Sequence, residues 1–210
     1  MSAHEAHHDS PVPKDYVDPQ FGKASPGKIG MWIFLGTDAM SFSGFLIAWA
    51  VLRSTQDWPN PVEALGGVHL PGFMTFLLIC SSVSMVLSID HAKRNDRQGM
   101  LKWLAITIGG GITFLGLQVY EYQLLYFHKG MSFSSYEYGN DLFASTFFAV
   151  TGFHGLHVLT GVLYLCWMYK LGHEGEFDNG NYNKLEIAGL FWHFVDLVWI
   201  LVFTFIYLIE

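Results

Sequence analysis

In a chain of 210 residues, 51% hydrophobic and 14% charged positions leave far fewer charges than the usual quarter of a soluble globular domain. The apolar residues gather into five long runs, each able to cross a hydrocarbon core of about 30 Å at about 1.5 Å per helical residue. A soluble domain is excluded; the net charge of −7 says little about partners, because the acidic residues are mostly dispersed in loops and tail, and no nucleic-acid partner is expected.

Residues 1–28 are polar, carry four prolines and lack an apolar h-region, so they are not a cleaved secretory signal. His4, His7 and His8 have metal-binding chemistry, but the composition predicts a solvated, largely disordered tail. From residue 29 to the end the expectation is all-α: a polytopic bundle of five transmembrane helices. The spans are expected at about 29–52, 71–89, 101–126, 142–169 and 185–209. Turn-rich linkers such as Trp58–Pro61 and Glu174–Asn181 separate them. Trp32, Trp49, Trp103, Trp167 and Tyr169 fall near span ends, where an interfacial aromatic belt would have them. Lysine and arginine then set the orientation. Nine of them (Lys14, Lys23, Lys28, Lys93, Arg94, Arg97, Lys102, Lys170 and Lys184) lie on one side, against Arg53 and Lys129 on the other. The positive-inside rule places the N-terminus in the cytoplasm and the C-terminus outside.

Ionisable groups inside these spans need a reason to be there. Asp38 lies in WIFLGTDAMSFSGF, far from either end of the first span, where a hydrogen bond to a neighbouring helix and a proton relay both fit. The structural reading is preferred. Gln118 and Glu121, three apart, share a face of the third span and are expected near its outer interface. Gly109–Gly111 and Gly116 precede them and mark close helix approach or a kink. His154 and His157 share a face of the fourth span among Gly152, Gly155 and Gly161, which predicts hydrogen bonds to a close neighbouring helix. The fifth span carries Glu186, His193 and Asp196 on one stripe, expected to face protein, with His193 and Asp196 placed to pair with each other.

The two cysteines, Cys80 and Cys166, lie in apolar runs and read as small buried hydrophobes. A different class of protein, a b-type haem electron carrier, needs one histidine from each of two facing helices at similar depth. His193 lies about 12 Å from Leu185 and His157 about 18 Å from Tyr169, which is a poor match. Solute transport lacks the expected inverted repeat, and HExxH, CxxCH, Walker and GxSxG sequences are absent.

Taken together, STFFAVTGFHGLHVLTG (Ser145–Gly161) and FWHFVDLVWILVFTFIYL (Phe191–Leu208) resemble subunit III of the haem–copper respiratory oxidases. LQVYEY (Leu117–Tyr122) is similar to that family's glutamate-bearing stretch, and WIFLGTDAMSF (Trp32–Phe42) to its helix with a buried carboxylate, usually glutamate. The resemblance implies an accessory subunit of a bacterial terminal oxidase, multi-pass in the cell (inner) membrane. It implies no haem, copper or other cofactor bound by this chain. Haem and copper belong to partner subunits, with subunit I as the main contact and subunit II and other respiratory-complex subunits beside it. Phospholipid binding and support of proton uptake are also implied, with cytochrome c preferred as electron donor over quinol; a relative associated with nitric oxide reductase is a third branch. Two departures stand out. The chain has five spans where longer members have seven, and Asp38 replaces the glutamate, so its shorter side chain is expected to miss a partner or reach it through water.

Overall fold

A computed structural model describes residues 25–137 and 139–209. Residues 1–24 of the expected disordered tail, with its three histidines, lie outside the described residues. Helix α1 spans Pro26–Thr55; a single turn, α2, spans Pro61–Ala64; α3 spans His69–Lys93 and α4 Arg97–Lys129. Helix α5 spans Asp141–Glu174 and α6 Asn183–Phe203, which continues as one π-helical turn through Thr204–Leu208. Five of these helices are long and apolar enough to cross a membrane.

The helices outrun their apolar stretches because their caps sit in polar sequence. Ser25 caps α1 from its side chain, with Pro26 at the first helical position, where a missing N–H costs nothing. Asp96 caps α4 by accepting from the Gly99 N–H, and Asn140 caps α5 through the Leu142 N–H. The Asp96 carboxyl is held below the ordinary carboxylate range, first by that Gly99 hydrogen bond and then by His91. At the other ends, α4 and α5 stop at Gly130 (φ 57°) and Gly175 (φ 87°), left-handed positions that favour glycine. α2 escaped the span pattern because four residues carry no periodicity.

α3, α4, α5 and α6 form a ring in which each packs on the next and α6 closes back on α3. Helix α1 lies outside that ring, against α6 and α5. Its buried residues, Leu35, Asp38, Phe42 and Trp49, follow helical spacing along one narrow seam, and its other faces are open. The enclosed core contains Trp192, Trp199, Phe114 and Phe147.

Several expectations fail here. Trp49 is buried at 1% exposure, edge-on to Trp58 at 4.9 Å, so it belongs to the core and not to the interfacial belt. Trp32 and Trp167 do face outward. Both cysteines are exposed on the outer faces of their helices, not buried: an apolar run says that a segment meets hydrocarbon, not whether a side chain meets protein or lipid. The glycines divide as well. A Cβ on Gly110 or Gly111 would collide with a neighbouring helix, whereas Gly109 and Gly116 face open space.

Candidate functional site: buried polar ties between helices

The intramembrane polar groups are distributed over the helix interfaces, so each site has to be built from its own pair of helices. Between α1 and α5, Nε2 of His157 lies 3.1 Å from Oδ1 of Asp38. Nδ1 of the same ring lies 2.8 Å from the Phe153 carbonyl, which can only accept, so Nδ1 carries a proton. The Asp38 contact therefore needs one further proton, on the carboxyl or on Nε2. The pair is a neutral acid–imidazole or an ion pair, and either holds α1 to the ring. The shorter aspartate side chain reaches its partner directly, while its second oxygen, Oδ2, is buried without one.

His154 behaves differently from the expectation of a helix-to-helix hydrogen bond. It is fully buried and neither ring nitrogen has a partner. Aromatic rings surround it instead: Trp199 at 5.0 Å, Phe114 at 5.8 Å and Phe42 at 6.2 Å between centroids. One helical turn separates the two histidines: the Asp38 carboxyl of α1 reaches His157 but not His154, while Phe42 of α1 contacts both rings, at 5.2 Å and 6.2 Å between centroids.

Between α4 and α5, Gln118 Nε2 donates to the Thr151 carbonyl (2.8 Å) and to the Tyr122 hydroxyl (3.2 Å). Tyr122 Oη lies 2.7 Å from Thr151 Oγ1, which itself donates to the Phe147 carbonyl. Glu121 accepts from the Tyr207 hydroxyl at 3.1 Å, tying α4 to the terminal π turn. Gln118 and Glu121 are 4% and 2% exposed, so both face the protein interior. The helix runs on to Lys129, and this face is turned inward.

The stripe on α6 also divides. Glu186 pairs with Lys28 of α1 and with Lys93 of α3 (2.9 Å), joining three helices at one end of the bundle. His193 and Asp196 form no direct pair. Ser82 of α3 takes the His193 ring instead, at 2.6 Å from Nδ1, and Oδ1 of Asp196 is buried without a partner. Among the described residues, no three His, Cys, Asp or Glu side chains converge in a way that could hold a metal.

The profile of the family described as "Cytochrome c oxidase subunit III" matches residues 23–210. The chain belongs to the cytochrome c oxidase subunit III family. Cytochrome c oxidase subunit 3 of Synechocystis sp. is 37% identical over 182 residues, covering 86% of this chain and 74% of that protein. The protein of the same name from Alkalihalophilus pseudofirmus is 34% identical over 181 residues, 86% of this chain and 85% of that one. Quinol oxidase subunit 3 of Bacillus subtilis is 31% identical over 205 residues, 98% of this chain and 96% of that one. A member of the subunit III family is an accessory subunit of a respiratory oxidase complex and a multi-pass membrane protein.

The ties that sequence reasoning missed in this subunit III are hydroxyls. Trp199 Nε1 donates to Thr75 Oγ1 (2.9 Å) and Trp192 Nε1 to Ser81 Oγ (3.2 Å), joining α6 to α3. Ser84 lies 2.7 Å from Thr107, and Ser88 donates to the Met100 carbonyl (3.0 Å), joining α3 to α4. Ser81, Ser84 and Ser88 recur at helical spacing in an otherwise apolar run, and that recurrence was the available signal.

For the Asp38–His157 tie, removal and replacement separate two roles. Asp38→Leu leaves Nε2 of His157 buried and unpaired, at a cost of about 1–3 kcal/mol, and the oxidase is expected to lose turnover faster with time. Asp38→Asn keeps a donor for Nε2, and its complex should start at close to wild-type turnover. A severe drop in the initial rate of an intact Asp38→Asn oxidase would assign the carboxyl to proton handling instead.

Proposed function

We propose that this chain is the non-redox subunit III of a proton-pumping terminal oxidase in the bacterial cell (inner) membrane, packed mainly against subunit I. The observation that carries the reading is the commitment of the spans' histidines. His157 is held by Asp38 of α1, His193 by Ser82 of α3, and His154 is enclosed by three rings, so the three serve separate interfaces. Haem and copper then reside in partner subunits, and this chain acts by holding subunit I in its working form and supporting proton uptake there. The N-terminus is cytoplasmic, with Lys28, Lys93 and Glu186 at that face. A lipid-facing groove of about 390 Å³ between α1 and α6, lined by Trp32, Leu35, Ala39, Leu190 and Phe194, suits a phospholipid chain. The donor is cytochrome c: relatives bearing that oxidase's name reach 37% identity, against 31% for those named quinol oxidase.

Purification through a tag on this chain should bring down subunit I and a copper-containing subunit II. The isolated chain should show no Soret band. A stoichiometric haem spectrum that disappears in His157→Ala or His193→Ala would overturn the proposal, and a subunit II without copper would move the donor to quinol. For the orientation, Asn95→Cys should be labelled only from the cytoplasmic side and Ser134→Cys only from outside; the reverse pattern would invert the topology.

A further inference from the structure

We propose that the groove between α4 and α5 seats a transmembrane helix of another oxidase subunit, one that presents a hydroxyl, amide or indole donor to the Gln118 side-chain carbonyl. The inference rests on the subunit III reading and adds a place and a chemistry to the contact.

The groove is walled by Leu115 and Val119 of α4 and by Leu156 and Leu159 of α5, with a cavity of about 310 Å³. Past Val119 and Tyr122 it runs into a second cavity of about 330 Å³ reaching Phe133 and Phe148. Its walls from Leu115 to Phe127 cover about 18 Å of helix rise, a length suited to a straight helical seam. The floor is made low by Gly152 and Gly155, the kind of small-residue surface that lets a third helix approach closely.

One polar atom in this floor is left over. Both Gln118 amide hydrogens are spent, on the Thr151 carbonyl and on Tyr122 Oη. The Thr151 hydroxyl is spent on the Phe147 carbonyl, which makes Tyr122 the donor to Thr151 Oγ1. Every donor of the network is used, and Oε1 of Gln118 accepts from none of the described residues. It lies over Gly155, 2.7 Å from where a Cβ would stand, on a side chain 96% buried that also lines the groove. A free carbonyl in an apolar groove asks for an occupant that is apolar with one donor.

Depth selects among such occupants. Gln118 lies five residues from the midpoint of α4, about 7.5 Å along the axis, within a hydrocarbon half-thickness of about 15 Å. A phospholipid offers only acyl carbons at that level, since its headgroup donors stay at the interface. A side chain on a neighbouring transmembrane helix can bring a donor there.

The test places a benzophenone amino acid in place of Leu156 (60% exposed in the groove wall) or of Phe76 (62% exposed on α3), in the intact oxidase. Irradiation is expected to join another subunit from position 156 and none from position 76. Lipid adducts alone from position 156, or a subunit adduct from position 76 only, would overturn the groove assignment. Gly152→Leu gives an independent arm, because a Cβ there meets nothing of this chain closer than 3.8 Å, so the chain folds with the groove filled. It is expected to release the partner during purification; full retention would overturn the proposal. A wild-type chain that brings down no oxidase subunit at all sinks the subunit III reading itself, and the groove with it.

Discussion

Gly111→Leu is expected to abolish the assembled bundle. A Cβ at this position would lie 2.6 Å from Cη2 of Trp192 on α6 and 2.6 Å from Cγ2 of Val162 on α5, where real contacts essentially never come. Three helices meet at this point, and none of the two facing groups is a flexible chain end that could swing away. Overpacking a well-filled core costs about 1–3 kcal/mol when neighbours can shift, and here a whole isobutyl group must fit where a hydrogen does. The control is in the same helix. Gly116 faces open space, so Gly116→Leu should change stability by no more than about 0.5 kcal/mol. Yield of detergent-stable complex and the midpoint of a denaturant titration report both variants. Equal behaviour of the two would mean that α4 does not approach α5 and α6 as closely as described.

Trp199→Ala should be the most costly truncation, about 3–5 kcal/mol. The indole is fully buried, edge-on to Phe114 at 4.8 Å and 5.0 Å from the His154 ring, and its N–H is spent on Thr75. Truncation opens a cavity beside an imidazole that already lacks hydrogen-bond partners, and unties α6 from α3. Trp199→Phe keeps much of the ring volume and loses the hydrogen bond, whose average worth within a membrane is about 0.6 kcal/mol. It should therefore fall much nearer to wild type. Trp167→Ala, at an outward-facing position, should cost little. If Trp199→Phe unfolds as readily as Trp199→Ala, the Thr75 bond and not the packing holds α6 in place.

The two tests bear on a division visible throughout the molecule. Hydropathy alone located five membrane helices, because hydrocarbon demands about 20 apolar residues per crossing and the chain has no other way to satisfy its backbone there. The same pattern, with FHGLHV and WHFVD, carried the family. It also put Asp38, His157, Gln118, Glu121, Glu186 and His193 among the groups that needed partners, since an unpaired polar group in hydrocarbon is too costly to be incidental.

Which partner each group takes was decided by the tertiary structure. In a soluble helix the apolar stripe marks the core, but in a membrane helix every face is apolar, and periodicity cannot tell a lipid-facing side chain from a protein-facing one. Cys80 and Cys166 were misplaced outward-to-inward for this reason, and Trp49 inward-to-outward. Gln118 and Glu121 point into the bundle because α4 turns that face toward α5 and the terminal turn of α6. His193 found Ser82 of α3, and His154 found rings in place of donors, because α6, α4 and α1 bring Trp199, Phe114 and Phe42 to that depth. A single chain's sequence sets what must be buried and how far it must reach. The relative rotation and depth of the five helices, settled only when they pack together, set which atoms meet.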